Sequence, residues 1–288
     1  MMQKRFFLFS GLVLLIFLAC KQGSVAPEPL NIQDIKPIPA KEYSFTEKPI
    51  WADEFDQPGL PDDKIWSYDV GGSGWGNNEL QYYTQADLDN AHVENGILTI
   101  EAKKESYEGK NYTSARLVTK GKKDFLYGRI EVRAKLPAGR GNWPAIWTLA
   151  SQSDYGQTYW PDNGEIDIME HVGYDPGVVH ATVHTKSFNH VLNTQKAGII
   201  QVPDFDQAFH VYRIDWTPEY IKAFIDGREY FTFQNSGKGW QEWPFDKKQH
   251  LLLNIAVGGN WGGQKGVDES LFPAKLWIDY VRVYGLKP

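Results

Sequence analysis

From about residue 50 onward the chain alternates apolar and polar positions in short runs that close on turn signals. Runs at 97–102, 128–136, 178–185, 209–216, 219–226, 229–233, 251–257 and 276–284 show the two-residue period of a half-buried strand. A further strand is expected over 141–149, where Trp143 and Trp147 are four residues apart and so share a face. Asp226-Gly227, between two of the runs, is a hairpin-turn dipeptide. Beyond the first twenty residues there is no long helical pattern and no internal repeat. Many strands without intervening helices predict an all-β chain, two antiparallel sheets packed as a sandwich.

The N-terminal end breaks this pattern. Lys4-Arg5 precede an apolar run at 6–19, too short to span a bilayer comfortably, which ends in Phe17-Leu18-Ala19-Cys20. Residues 1–20 read as a targeting segment, and the ending resembles a bacterial lipobox with Phe17 where Leu is usual. Cys20 is the only cysteine, which excludes an intramolecular disulfide and makes it the candidate for lipidation. Residues 21–45 carry Pro27, Pro29, Pro37 and Pro39 with little apolar periodicity and read as a tether. Residues 46–288 are left as one domain. The expected address is the bacterial cell envelope, by a lipid anchor at the outer membrane or cell surface; the alternative is simple secretion.

Composition adds two constraints. With 42% hydrophobic residues and 11 Trp, the chain has enough for one good core and more aromatic surface than a core needs. A formal charge of −6 argues against nucleic acid as a partner, and weakly against polyanionic polysaccharides.

Candidate chemistry concentrates in Gly164-Glu165-Ile166-Asp167-Ile168-Met169-Glu170. Strand alternation puts Glu165 and Asp167 on one face and Glu170, by parity, on the other. A β-bulge absorbing one residue near Ile168 or Met169 returns Glu170 to the carboxylate face. Glu165 and Glu170 are then four strand steps, roughly 13 Å, apart along the backbone. Two Glu side chains leaning together close this to about 5–6 Å, near the separation in a retaining glycosidase. Alternating acids also describe the solvated face of an ordinary half-buried strand. The turn Asp162-Asn163-Gly164 and the tryptophan pair Trp143 and Trp147 favour a sugar site, because sugar faces stack on rings while acids work on the glycosidic oxygen.

Other constellations say less. His180 and His184 share a strand face, but at roughly 13 Å they are too far apart to chelate one ion. Gly71-Gly72-Ser73-Gly74-Trp75-Gly76 lacks the residues of a phosphate cradle or a nucleophile elbow and reads as a loop edging a cleft. The amides of Asn77 and Asn78 suit sugar hydroxyls or a turn equally. Trp143 and Trp147 fit a core or a platform. Trp261, set among glycines, is hard to bury and reads as a platform at the cleft edge.

Taken in order, Trp51–Phe55, Trp75–Tyr83, Tyr127–Arg133, Glu165-x-Asp167-x-x-Glu170, Asn254–Trp261 and Ile278–Tyr284 resemble glycoside hydrolase family 16, nearest the bacterial laminarinases. The resemblance runs over roughly 50 to 285. The acid motif with one residue fewer, typical of lichenases, is not present. The resemblance implies a β-jelly roll whose concave sheet carries a long cleft. It implies Glu165 as nucleophile, Glu170 as general acid/base and Asp167 holding Glu165 between them. It points Asn77 to sugar binding, Arg116 to the non-reducing side and His184 to the leaving-group side, and leaves His180 structural. Glu54, Gly96 and Asp279 match places where the family often holds a structural calcium; catalysis needs no cofactor. Lys186 and Phe188 beside His184 depart from the family pattern and are expected to tune substrate choice. The whole reading is a lipid-anchored, monomeric endo-glucanase cutting β-1,3 or mixed β-1,3/1,4-glucan with retention. Its partners are a β-glucan polysaccharide and, through Cys20, the membrane. The alternatives are an agarase or carrageenase of the same family, or a surface glycan-binding lipoprotein without activity. The intact acid trio speaks against the last.

Overall fold

The computed structural model describes residues 30–31 and 43–287. Cys20, the signal segment and most of the 21–45 tether lie outside the described residues. Among those described there are eighteen strands, a 3-10 turn at Glu269–Leu271 and no α-helix. In chain order the first are β1 (Leu30–Asn31), β2 (Trp51–Asp53), β3 (Ser67–Tyr68), β4 (Gln81–Tyr83), β5 (Ala91–Glu94), β6 (Ile97–Tyr107), β7 (Lys110–Ser114), β8 (Arg116–Val118) and β9 (Gly128–Lys135). There follow β10 (Asn142–Ala150), β11 (Glu165–His171), β12 (Val178–His184), β13 (Lys196–Gln201), β14 (His210–Trp216), β15 (Tyr220–Ile225), β16 (Arg228–Gln234), β17 (Gln249–Val257) and β18 (Ala274–Tyr284).

One sheet runs β1-β13-β12-β11-β10-β17-β8-β3. The other runs β16-β15-β14-β9-β18-β6-β7-β4, with β2 added on β18 and β5 on β6. Pairing is antiparallel except for β1 with β13 and β4 with β7. The sandwich expected from the alternation is present. Asp226 (φ 50°) and Gly227 (φ 79°) make the two-residue turn between β15 and β16, both in the left-handed region that a primed hairpin turn requires.

The two sheets share one apolar core. Ile146, Ile166, Val183 and Leu253 from the first sheet meet Val132, Ile214, Ile278 and Val281 from the second. β9 alternates strictly between buried and half-buried positions, so one of its faces is core and the other meets solvent. β17 is buried along its whole length. Its second face carries Leu252, which joins Val118 and Leu149 in a smaller cluster with Trp147 and Trp160 packed on it. This second apolar layer floors the functional site.

The second sheet and its turns carry the residues at which the resemblance implies a calcium. Arg282 forks Glu54, Nε to Oε1 at 2.7 Å and Nη2 to Oε2 at 2.8 Å. Asp279 is engaged by Arg133. Gly96 sits in the β5–β6 turn at φ 77°. Each carboxylate has a guanidinium as its partner in this arrangement.

Candidate active site

The site is built on a bulge in β11. Against β10, Ile146 faces Met169 and Trp147 faces Asp167, so Ile168 has no partner. Against β12, Asp167 faces Thr182 and Glu170 faces His180, the same one-residue surplus. Ile166, Ile168 and Met169 all enter the core, and two consecutive core residues are what a bulge permits. Burial of such side chains contributes roughly 1.5–3 kcal/mol each, which holds the irregular register in place. Glu165, Asp167 and Glu170 consequently emerge together into one cavity of about 360 Å³.

Aromatic rings wall that cavity. Trp143 and Trp147 rise from β10, and Trp75, Asn77, Tyr159, Trp160, His190 and Val191 continue the lining. Trp143 Nε1 donates to Glu170 Oε1 at 3.0 Å, which fixes the carboxyl against the ring. Trp147 Nε1 donates to Asn254 Oδ1 at 2.7 Å, and Asn254 Nδ2 in turn donates to Tyr83 Oη at 3.0 Å. The Arg116 guanidinium lies 4.8 Å from the Trp75 ring centre and 4.7 Å from that of Trp147. Its Nε is 3.0 Å from Asp69 Oδ2. Stacking on two indoles locks the guanidinium plane, so Arg116 is a preorganised donor on the cavity wall.

The Tyr159–Trp160 flank belongs to a loop, and Asp162-Asn163 hold it. Asn163 Oδ1 accepts from the backbone N–H of Asp154 and of Tyr155, each at 2.7 Å. Asp162 Oδ2 accepts from the Gln157 N–H at 2.9 Å, and its Oδ1 is 2.9 Å from Lys186 Nζ. Lys186 therefore braces this loop and does not line the cavity. Phe188 packs against the core.

Burial and mutual repulsion dominate the electrostatics. Desolvation, then Asp167's charge, push Glu165 up to about 8, against the pull of His184 and of the Trp160 indole. Glu170 rises to about 7 through desolvation and then Glu165's charge, moderated by His184 and by the Trp143 N–H. Asp167 is driven well above the usual carboxylate range by desolvation and by Glu170. Three acids in one dry cleft hold on to protons near neutrality, and their titrations belong to the group as a whole.

Cross-strand register sets the two histidines at opposite ends of the acid trio. His184 pairs with Glu165 across β11 and β12, its Nε2 3.8 Å from Glu165 Oε1 and 3.4 Å from Asp167 Oδ2. It is buried at the Glu165–Asp167 end and is not among the residues that line the cavity. His180 is the one opposite Glu170, edge-on to Trp261 with 5.0 Å between ring centres. Burial lowers it to about 4, so it is neutral at physiological pH. Trp261 also meets Trp143 edge-on at 5.4 Å, outside the main cavity at its rim. Asn77 lines the cavity, and its carbonyl accepts from the Asn260 N–H at 2.7 Å. Asn78 takes the turn role, with φ 55°.

Sequence reasoning missed Trp75, Glu79, Tyr159, Trp160, His190 and Asn254, all cavity-lining. Glu79 is nearly buried, anchored by Gln81 Nε2 at 2.7 Å, and burial raises its pKa. Trp75, Glu79 and Asn254 lie inside motif segments visible in the sequence. Tyr159, Trp160 and His190 lie in loops with no period to betray them.

Comparison with known proteins agrees with this geometry. The family described as "Glycosyl hydrolases family 16" matches residues 78–282. A β-glucanase of Rhodothermus marinus is 60% identical over 240 residues, 82% of this chain and 84% of the relative. The solved laminarinase from Rhodothermus marinus superimposes with a TM-score of 0.83 at 58% identity, covering 85% of this chain and 99% of that one. SCLam, a solved non-specific endo-β-1,3(4)-glucanase, gives a TM-score of 0.80 at 47% identity, covering 88% of this chain and 95% of that one. With its two-sheet β-jelly roll and its matched acid strand, the chain belongs to glycoside hydrolase family 16.

Proposed function

We propose that the protein is an endo-acting retaining glycoside hydrolase of β-1,3- and mixed-linkage β-1,3/1,4-glucan. The observation that carries this is the β11 bulge, which delivers Glu165, Asp167 and Glu170 to one aromatic-walled cavity. Relatives named β-glucanase, laminarinase and endo-β-1,3(4)-glucanase support the substrate class.

In the first step a Glu165 oxygen attacks the anomeric carbon while Glu170 gives its proton to the departing glycosidic oxygen. The bond to the leaving sugar breaks and a glycosyl ester on Glu165 forms. In the second step Glu170, now a carboxylate, takes a proton from water as the water oxygen attacks the same carbon, and Glu165 is released. Asp167 shares a hydrogen bond with Glu165 and holds it in line. The His184 ring beside them favours the ionised form of Glu165. Trp143 steadies Glu170 through its N–H and offers a ring face to sugar, as does Trp147. Arg116 and Asn77 supply donors to sugar hydroxyls on their flank.

By the same reading the enzyme acts as a monomer at the bacterial cell envelope, lipid-anchored through Cys20. A reducing-sugar assay on laminarin, barley β-glucan, agarose and carrageenan tests the substrate. The expected result is release from the first two and none from the others. Binding to laminarin without release from any of the four would make the protein a glycan binder.

A further inference from the structure

We propose that Glu165, Asp167 and His184 together form a binding site for a divalent transition-metal ion, best fitted by zinc, whose occupation shuts the hydrolase off. Each residue offers one ligand atom, and the three atoms all lie within 4.8 Å of one another. His184 Nε2 is 3.4 Å from Asp167 Oδ2 and 3.8 Å from Glu165 Oε1. Zinc bonds of about 2.0–2.1 Å at tetrahedral angles place ligand atoms about 3.3 Å apart. The two separations from His184 already lie within half an ångström of that spacing.

A second, independent observation points to a cation. Asp167 Oδ2, on a side chain 2% exposed, has no hydrogen-bond partner and faces the imidazole. A buried acceptor left so is costly, and a metal ion satisfies it directly. The ligands rise from adjacent strands, Glu165 lying directly opposite His184, so the sheet itself sets their spacing. The fourth position opens to the cavity, as in sites with three protein ligands and one exchangeable position.

Donor chemistry selects the ion. One imidazole and two carboxylates suit zinc or copper, whereas calcium takes six to eight oxygens. His184 Nδ1 is also buried without a partner. A metal-bound histidine usually donates from its other nitrogen, and such partners strengthen binding. This site therefore binds less tightly than a resident zinc centre and fills and empties with ambient metal. The ion takes the Glu165 oxygen that attacks the sugar, so it competes with glucan. That shut-off rests on Glu165 being the nucleophile; metal binding does not.

Calorimetric titration of the full chain with zinc and with calcium tests the site. The expected result is one zinc per chain, displaced by excess laminari-oligosaccharide, and no calcium at this place. His184→Ala and the near-isosteric Asp167→Asn should bind zinc at least tenfold more weakly, while Glu170→Gln, which supplies no ligand, binds as the wild type does. Thermal melts without metal show that each variant is folded, and only the wild type and Glu170→Gln should gain stability with zinc. Undiminished zinc affinity in both His184→Ala and Asp167→Asn would overturn the site. Full laminarin hydrolysis under saturating zinc bound through His184 would instead overturn the shut-off, and with it the placing of Glu165 at the reacting carbon.

Discussion

Glu165 and Glu170 differ more in surroundings than in chemistry, and the surroundings set their roles. Glu165 adjoins Asp167, whose charge opposes its ionisation, and His184, which favours it; Glu170 stands against Trp143. Glu165→Ala should abolish turnover, and added azide should restore a product of inverted configuration, because a small anion fills the nucleophile's place. Glu170→Ala should spare the first step for substrates whose leaving groups need no proton. Azide rescue of the Glu165 variant with retained configuration would reverse the two roles. The Trp143 N–H gives a sharper test, since that bond favours the charged form of Glu170. Trp143→Phe keeps the ring and removes the donor, so Glu170 should rise further from about 7. It then stays protonated to higher pH, and the alkaline limb of kcat/KM should move upward by a fraction of a pH unit. An unmoved or lowered limb in the pH profile would show that another group sets it.

The bulge in β11 is the element on which the site depends, and its parity argument makes an unusual prediction. Deleting Ile168 removes the unpaired residue and leaves Asp167 and Met169 opposite Trp147 and Ile146 as neighbours in a regular ladder. The second acid keeps its face, so glucanase activity should survive, with stability lower by roughly 1.5–3 kcal/mol for the lost core side chain. Inserting an alanine after Met169 should turn the acid into the core and abolish activity. Denaturant melts and laminarin turnover on both variants decide the matter; an active insertion variant would refute the register. This element is legible in sequence because face alternation is local: Glu165, Asp167 and the misplaced Glu170 announce a bulge by parity alone. The wall of Tyr159, Trp160 and His190 is not legible that way. Its loop is held by side chains of Asp162 and Asn163 reaching back to backbone N–H groups, and no sequence period encodes such bonds. The histidines' partners are hidden for a related reason, since only cross-strand register tells that His184 faces Glu165 and His180 faces Glu170.

At the scale of the molecule, alternation and the Asp226-Gly227 turn suffice for a two-sheet sandwich, while the fate of the outer acids depends on partners far away in sequence. Glu54 meets Arg282 across 228 positions and Asp279 meets Arg133 across 146, pairings that no local pattern foretells. The catalytic cavity draws its acids, rings and Arg116 from within the described domain, so activity should not depend on how the chain is held in place. The anchor expected from the sequence is a thioether lipid at Cys20, with a Pro-rich segment between it and residue 46. A single acyl chain binds a membrane weakly and reversibly, so stable attachment requires more than one chain on the processed terminus. Cys20→Ser should therefore release the protein from the membrane fraction while its glucanase activity per molecule stays at the wild-type value. Inhibiting lipoprotein processing in cells that express the wild type should produce the same shift. Fractionation followed by laminarin assay of each fraction measures both effects together. Equal solubility of the wild type and Cys20→Ser would make the first twenty residues an ordinary secretion signal and the enzyme a released one.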